Sequence, residues 1–390
     1  MRDTFLPFAP PLIEEAEIEE VIDTLRSGWL TTGPKTRKFA DEFSQYTNAP
    51  AALTVSSCTA ALHLSLVAHG IGAGDEVITT PLTFAASVNV IEHAGARPVL
   101  VDVEPDTLNI DPELIEQAIT PATKAIIAVH YAGHPVELDE IRELAKRHNL
   151  LLIEDAAHAI GAAYKGERIG SGENPACFSF YATKNLTTGE GGMLTGSDSF
   201  LEKARLLSLH GMSREAWSRY AAGGKWAYDI AAPGYKYNMT DIQAALGLQQ
   251  LKRFEAMQQR RNEIVARYQE AFQGRAEFQT PVHREHVTHA WHLYVLRLNE
   301  DELAIDRNTF IENINARNIG TSVHFIPIHL HSYYAQKYGW SPEDFPVALS
   351  NFNRMVSLPL SAKMSDDDVT DVIDAVQNVT AVGRRKLMAG

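Results

Sequence analysis

Between residues 50 and 200 the chain alternates short, unbroken apolar runs with segments of helical periodicity, and few folds tolerate that alternation. The runs are AALTV, DEVITT, PVLVDV, KAIIAVH and NLLLIED, and the helical segments include TAALHLSLVAHG and FAASVNVIEHAG. A strand with one solvated face alternates apolar and polar residues; an unbroken apolar run of about four to six suits a strand covered on both faces. The expectation is therefore an α/β domain with a mostly parallel sheet. ACFSFY, GGMLTG and the helical LEKARLLSLHG continue the pattern.

Ahead of the sheet, LIEEAEIEEVIDTLRSG places Leu12, Ile13, Ala16, Val21, Ile22 and Leu25 on a helical stripe that stops at Gly28. A second helix is expected around Phe39 and Phe43, with the turn WLTTGP between the two. After the sheet comes MSREAWSRYAAGGKWAYDIAAPGYKYN, a polar, aromatic and glycine-bearing loop of the length that is usually functional or mobile. One long helix is expected from an N-cap at Thr240 through Phe272. Farther on, HAWHLYVLRL reads as a strand, DRNTFIENINARNIG as a helix ending at Gly320, TSVHFIP as a strand and SDDDVTDVIDAVQNV as a closing helix. At 390 residues the chain exceeds what one core usually holds. The expected division is a large α/β domain over 1–250 and a small α+β domain over 251–390, linked by the helix at about 240–272.

Composition narrows the function classes. Hydrophobic content of 45% with 22% charged residues is that of a globular chain. A net charge of −14, with no basic run interleaved with aromatics, argues against a nucleic-acid partner. The two cysteines, Cys58 and Cys177, make neither a secreted disulfide scaffold nor a zinc site. The start, MRDTFLPFAPP, lacks a signal-peptide apolar core, and no apolar run of membrane-spanning length follows. The expectation is a cytoplasmic enzyme with no metal and no membrane partner.

Three elements carry chemistry. In VSSCTAALHLSL, the hydroxyls of Ser57 and Thr59 and the free backbone N–H groups of a helix start converge, which either holds a phosphate or simply caps the helix. In LLLIEDAAHAIG, a buried strand ends in Glu154 and Asp155, followed by His158. Ligands of open α/β sheets bind at strand carboxyl ends, so Asp155 faces a pocket or caps the next helix, and His158 alone reads equally as a structural histidine. In SFYATKNLTTGEGG, Lys184 follows the strand that carries Ser179. A desolvated lysine there is nucleophilic toward a carbonyl, although a lone loop lysine is more often plain surface. Taken together, an acid, a lysine and a phosphate seat at strand ends are the set that pyridoxal 5'-phosphate (PLP) requires. Phe84 offers an aromatic face for the ring, or core packing.

With SGWLTTGPKT, GDEVITTPLTFAASVNVI, GYKYNMTDIQAALGLQQL and HFIPIHLHSYY added to these segments, the chain resembles the DegT/DnrJ/EryC1/StrS sugar aminotransferases over nearly its whole length. Within that family it is most similar to enzymes that aminate C4 of a 4-keto nucleotide sugar, such as those forming UDP-4-amino-4-deoxy-L-arabinose. The resemblance implies a PLP-dependent fold type I enzyme working by ping-pong transfer from L-glutamate through pyridoxamine 5'-phosphate. Lys184 would join the cofactor and move the proton, Asp155 would pair with the ring nitrogen, and His158 and Phe84 would lie against the ring. Ser57, Cys58, Thr59 and Ser179 would hold the phosphate; only the backbone N–H of Cys58 is assigned, since serine, alanine or glycine is the expected residue. The resemblance further implies a homodimer with Asn238 reaching the neighbouring subunit's phosphate, a sugar site using Thr31, His324 and His329, and a loop 211–235 that brings Trp226 or Tyr228 to the nucleotide. A structural role for either histidine stays open. The retained lysine argues against the family's sugar dehydratases, which carry histidine there, and against a non-catalytic regulator. No GxGxxG follows an expected strand, which argues against a nicotinamide oxidoreductase.

Overall fold

The computed structural model describes residues 2–212 and 228–383. Its centre is a seven-stranded sheet. The strands are β1 (Ala51–Val55), β2 (Glu76–Thr79), β3 (Arg97–Leu100), β4 (Thr123–Val129), β5 (Leu151–Asp155), β8 (Ala176–Ser179) and β9 (Gly192–Gly196). The short strands β6 (Ala163–Tyr164) and β7 (Glu167–Arg168) form a separate hairpin. The spatial order is β1-β9-β8-β5-β4-β2-β3, and only β9 runs against its neighbours.

The unbroken apolar runs are explained by burial on both faces. Ile126 and Leu152 join one core with Phe39, Phe43, Phe178 and Phe180, while their chain neighbours Ile127 and Ile153 join a second core with Leu62, Val77 and Leu194. Successive side chains of a strand point to opposite faces, so both must be apolar where helices cover both. Truncating Leu152 to alanine costs about 2–5 kcal/mol by loss of transfer energy and cavity formation.

Helix α1 (Glu15–Ser27) ends at Gly28, whose φ of 75° is the left-handed conformation of a helix C-cap. Its apolar stripe does not face inward. Ile18, Ile22 and Leu25 are 44%, 37% and 52% exposed, and the buried positions are Glu17 and Thr24. Burial of Glu17 is compensated by Arg253 Nε at 2.8 Å and Gln250 Nε2 at 2.9 Å. Helix α2 (Pro34–Thr47) does bury Phe39 and Phe43.

The long helix expected from 240 to 272 is two helices, Asp241–Lys252 and Phe254–Phe272, broken at Arg253. Thr240 caps the first, accepting from Gln243 N at 3.3 Å in a capping box. The break lets the first helix pack Ala244 and Leu248 on the sheet side while the second sends Ile264, Tyr268 and Phe272 into a different core. Arg253 stabilises the break, its guanidinium spending donors on Glu14, Glu17 and the Leu12 carbonyl.

The C-terminal part carries a three-stranded antiparallel sheet, β10 (Phe278–Gln279), β12 (Tyr294–Leu298) and β13 (Met355–Leu358), covered by helices including Arg307–Asn315 and Asp366–Gly383. β11 (Val287–Thr288) pairs with β6 instead. TSVHFIP is not a strand: it makes one bridge, Ser322 to Ser357, because His324 and Phe325 turn into the large cleft. The first residues of the chain also pack here. Leu6 bonds Asn318 O and Gly320 N at 2.8 and 2.9 Å and joins the C-terminal core, and Arg2 pairs with Asp368 and Asp371, each at 2.7 Å.

Candidate active site

A cavity of about 480 Å³ opens at the carboxyl ends of the parallel strands. It is lined by Ser57, Cys58 and Thr59 after β1, Phe84 and Ser87 after β2, Asp155 and His158 at the end of β5, Ser179 at the end of β8 and Lys184 after it, with His292, His324 and Phe325 from the C-terminal part. The sheet register brings these together: Val129 lies opposite Asp155 and Asp155 opposite Cys177, so the strand ends are level.

Helix α3 (Cys58–Ala68) starts at this cavity. The first amides of an α-helix have no partner within it; Ser57 Oγ accepts from Ala60 N at 3.1 Å, which leaves those of Cys58 and Thr59 at the cavity wall. Gly192 closes the seat from behind. A Cβ there would come within 2.5 Å of the Ser57 carbonyl carbon and 2.7 Å of Cys58 N, so only glycine lets β9 pass. The Cys58 thiol points away from the seat, toward Cys177 O at 3.2 Å, and burial pushes its pKa well up.

Lys184 sits on a loop whose shape the hydroxyls of LTTGEGG determine. Phe180 N donates to Gly191 O, Thr188 N and Thr187 Oγ1 donate to Phe180 O at 2.9 and 3.1 Å, and Thr188 Oγ1 donates to Glu190 O at 2.7 Å. The threonines thus clamp the loop through bonds to its own backbone. Desolvation of the ammonium lowers the Lys184 pKa to about 8, against the opposing influence of Cys58 and Asp155.

Asp155 is buried and charged-form donors surround it: Ser87 Oγ at 2.7 Å on Oδ2 and Ala157 N at 3.2 Å on Oδ1. Burial raises its pKa, and the Ser87 bond is the strongest influence opposing it. The His158 ring stands 4.3 Å from that of His292 and stacks on Phe325 at 5.8 Å. Its Nδ1 is buried without a partner, and burial beside Lys184 keeps the ring neutral, with a pKa well below the usual value. Phe84 is 62% exposed at the cavity wall, so it is no core residue.

Not every expected residue reaches this cavity. His324 does, with Nδ1 bonded to Ser357 Oγ at 2.9 Å and its pKa lowered to about 4 by burial. His329 does not: its ring is buried against Phe345 and is not part of the cavity lining. Thr31 and Asn238 are outside the cavity lining too. The two segments adjoin: Asn238 Nδ2 donates to Thr32 Oγ1 at 2.7 Å and Thr31 O accepts from Asp241 N at 3.1 Å. Trp226 lies outside the described residues, and Tyr228 is 49% exposed and does not line the cavity. Ser87 and His292 were not expected. Ser87 could have been found by its position one helical turn after Phe84; His292 had no signal, since the tertiary fold alone brings it under His158.

The chain is similar to known proteins over nearly its whole length. SpsC of Bacillus subtilis, a spore coat polysaccharide biosynthesis protein, is 53% identical over 380 residues, covering 97% of this chain and 98% of its own. Among solved structures, the Streptococcus pneumoniae protein Spr1654, described as a sugar aminotransferase and solved in PLP and PMP forms, superposes with TM-scores of 0.90 (PMP form) and 0.89 (PLP form), at 39% identity over 97% of this chain and 99% of its own. PseC of Helicobacter pylori, an aminotransferase involved in pseudoaminic acid biosynthesis, superposes with a TM-score of 0.89 at 28% identity, covering 97% of this chain and 100% of its own. The sequence model of the DegT/DnrJ/EryC1/StrS aminotransferase family matches residues 11–377. The cofactor of these enzymes is PLP on a fold type I scaffold, and the chain belongs to the DegT/DnrJ/EryC1/StrS aminotransferase family.

Proposed function

We propose that the protein moves an amino group from L-glutamate to a keto sugar carried on a nucleotide, with C4 of a UDP-linked 4-keto sugar as the favoured acceptor. The observation that carries this reading is the meeting of Lys184, Asp155 and the start of α3 in one cavity. The reading gains support from the sugar-biosynthetic descriptions of SpsC and PseC and from the segments shared with C4 aminotransferases.

The residues fit PLP. The cavity offers a lysine amine, a buried acid, two free helix-start amides with the Ser57 and Ser179 hydroxyls, and the unpartnered Nδ1 of His158. When bound, PLP supplies the electron sink that lets an amino-acid α-carbon release a proton. Asp155 would hold a proton on the ring nitrogen, and the amides of Cys58 and Thr59 would neutralise phosphate charge. Lys184, with its amine near neutrality at about pH 8, accepts the proton at the donor α-carbon and returns it on the other side of the exchange. His158 and Phe325 would exclude water from one ring face.

Completion of the site by a second subunit belongs to the same proposal. Thr31 and Asn238 sit together and do not line their own chain's cavity, and the exposed stripe Ile18, Ile22 and Leu25 leads to the exposed Trp29 and Leu30 beside them. Such a contiguous apolar surface is what a self-association face presents.

The test is the visible absorption spectrum of the purified protein before and after L-glutamate, with Lys184→Ala as control. A cofactor band that fades with glutamate, followed by turnover of a UDP-linked 4-keto sugar in preference to dTDP- or GDP-linked 3-keto sugars, is the expected result. A protein that stays colourless with added PLP would overturn the assignment of Lys184.

A further inference from the structure

We infer that Ser87, itself held by Thr83, is the residue that positions Asp155 toward the ring nitrogen of the cofactor; this rests on the reading of Asp155 proposed above. The direction of the hydrogen bonds makes the argument. Ser87 Oγ lies 2.7 Å from Asp155 Oδ2 and 2.8 Å from Thr83 Oγ1. A serine hydroxyl has one proton, and an ionised carboxylate has none to give. Ser87 must therefore donate to Asp155, and Thr83 must donate to Ser87. The chain of bonds runs one way, Thr83 to Ser87 to Asp155, and it terminates at the Asp155 carboxyl.

Local structure explains why these two hydroxyls meet. Thr83 lies two residues before the N-cap Ala85 of α4 (Ala86–His93) and Ser87 lies in its first turn, and the bend of the chain over Pro81–Thr83 brings the two hydroxyls to 2.8 Å. Neither hydroxyl caps the helix: the N-cap position is Ala85 and has no side-chain bond. Thr83, Ser87 and Asp155 are 2%, 1% and 5% exposed, so water does not replace a missing partner. The Ser87 bond occupies Oδ2. Oδ1 takes only the Ala157 amide at 3.2 Å and a long thiol contact from Cys58 at 3.9 Å, which leaves it capacity for the N–H of a ring. The ionisable groups that face Asp155 are Lys184, His130, Cys58 and Cys177; burial pushes its carboxyl up, and Ser87 is the strongest counterweight.

The experiment measures three quantities on Ser87→Ala, Ser87→Thr, Thr83→Val and Asp155→Asn. They are the PLP dissociation constant by fluorescence quenching, the protonation of an isotope-labelled PLP ring nitrogen by NMR, and the melting temperature of the apo protein. Ser87→Ala is expected to weaken PLP binding roughly tenfold to a hundredfold, the scale of one hydrogen bond to a charged group. It should also shift the ring nitrogen toward its unprotonated form at neutral pH. Ser87→Thr should restore both, and Thr83→Val should move both in the same direction by less. If Ser87→Ala does not fold, Thr83→Val against Ser87→Thr makes the same comparison. Parental affinity and parental ring protonation in Ser87→Ala, with or without a lower melting temperature, would overturn the inference while Asp155→Asn still lost both. Parental behaviour in Asp155→Asn would instead remove the underlying assignment of Asp155.

Discussion

Glu154 and Asp155 are adjacent acids at the end of β5, and the sheet sends them to opposite faces. Asp155 reaches the cavity, where hydroxyl and amide donors meet it and ligand space lies beyond. Glu154 reaches the packed face, where His130 Nε2 stands 3.2 Å away and both side chains are essentially inaccessible. His130 Nδ1 accepts from Val136 N at 3.2 Å, so its Nε2 carries the proton and donates to Glu154. The two acids have similar burial and opposite purposes. One is held ready for an outside partner; the other is already satisfied and serves to tie β4 to β5.

Substitutions at the two faces break this comparison in different observables. Lys184→Ala and Asp155→Asn should produce the largest effects, each lowering turnover roughly a hundredfold to ten-thousandfold, the range lost with a positioned proton-transfer group. Steady-state kinetics with added PLP checks this. Glu154→Ala should do the reverse. It leaves the His130 N–H buried and unpaired, so urea unfolding should show a loss of about 2–3 kcal/mol while PLP affinity in the folded fraction stays near parental.

The pH dependence sharpens the same contrast. Burial holds Lys184 at about 8, below its ordinary value of 10.5, so the folded state disfavours the charged amine. Below about 8 both folded and unfolded lysines are protonated and the penalty is fully present; as pH rises from there toward 10.5 the unfolded chain binds the extra proton, and the apo protein gains stability. The rate of PLP capture by the apo protein should accordingly rise about tenfold per pH unit below that value and level above it, because only the neutral amine attacks. Stopped-flow absorbance measures the rate. A flat profile from pH 6 to 9, on the order of which any ordinary lysine would still climb, would show that the amine is not the limiting group.

The smallest effect separates the two histidines of HFIPIHLH. His324→Ala removes a cavity wall and should raise the sugar KM roughly tenfold with little change in melting temperature. His329→Leu, in the packed position against Phe345, should leave KM unchanged and move stability by about 1 kcal/mol in either direction.

Much of the site was legible in the chain because it lies at strand ends. Once the apolar runs are read as parallel strands, Ser57, Asp155, Ser179 and Lys184 must fall on one edge of the sheet, whatever the loops do. Two readings of elements did not survive, each for a tertiary reason. One helix from 240 to 272 became two, since it serves two cores that a straight rod cannot reach. TSVHFIP, with the composition of a strand, is drawn away from the sheet by side chains that line the cavity.

The sequence by itself determined the parallel sheet, the helix starts and stops at Gly28 and Thr240, and the placement of Ser57, Asp155 and Lys184 at strand ends. These are set by period, by caps and by which residue types end a buried strand, all properties of a few neighbours. Only the tertiary structure decided that Ser87 points at Asp155, that His292 lies under His158, that the Cys58 thiol turns inward, and that His324 enters the cavity while His329 does not. Such contacts join residues 68 to 134 positions apart, as between Ser87 and Asp155 and between His158 and His292. No local period encodes them, because they follow from how helices and sheets with separate cores settle against one another.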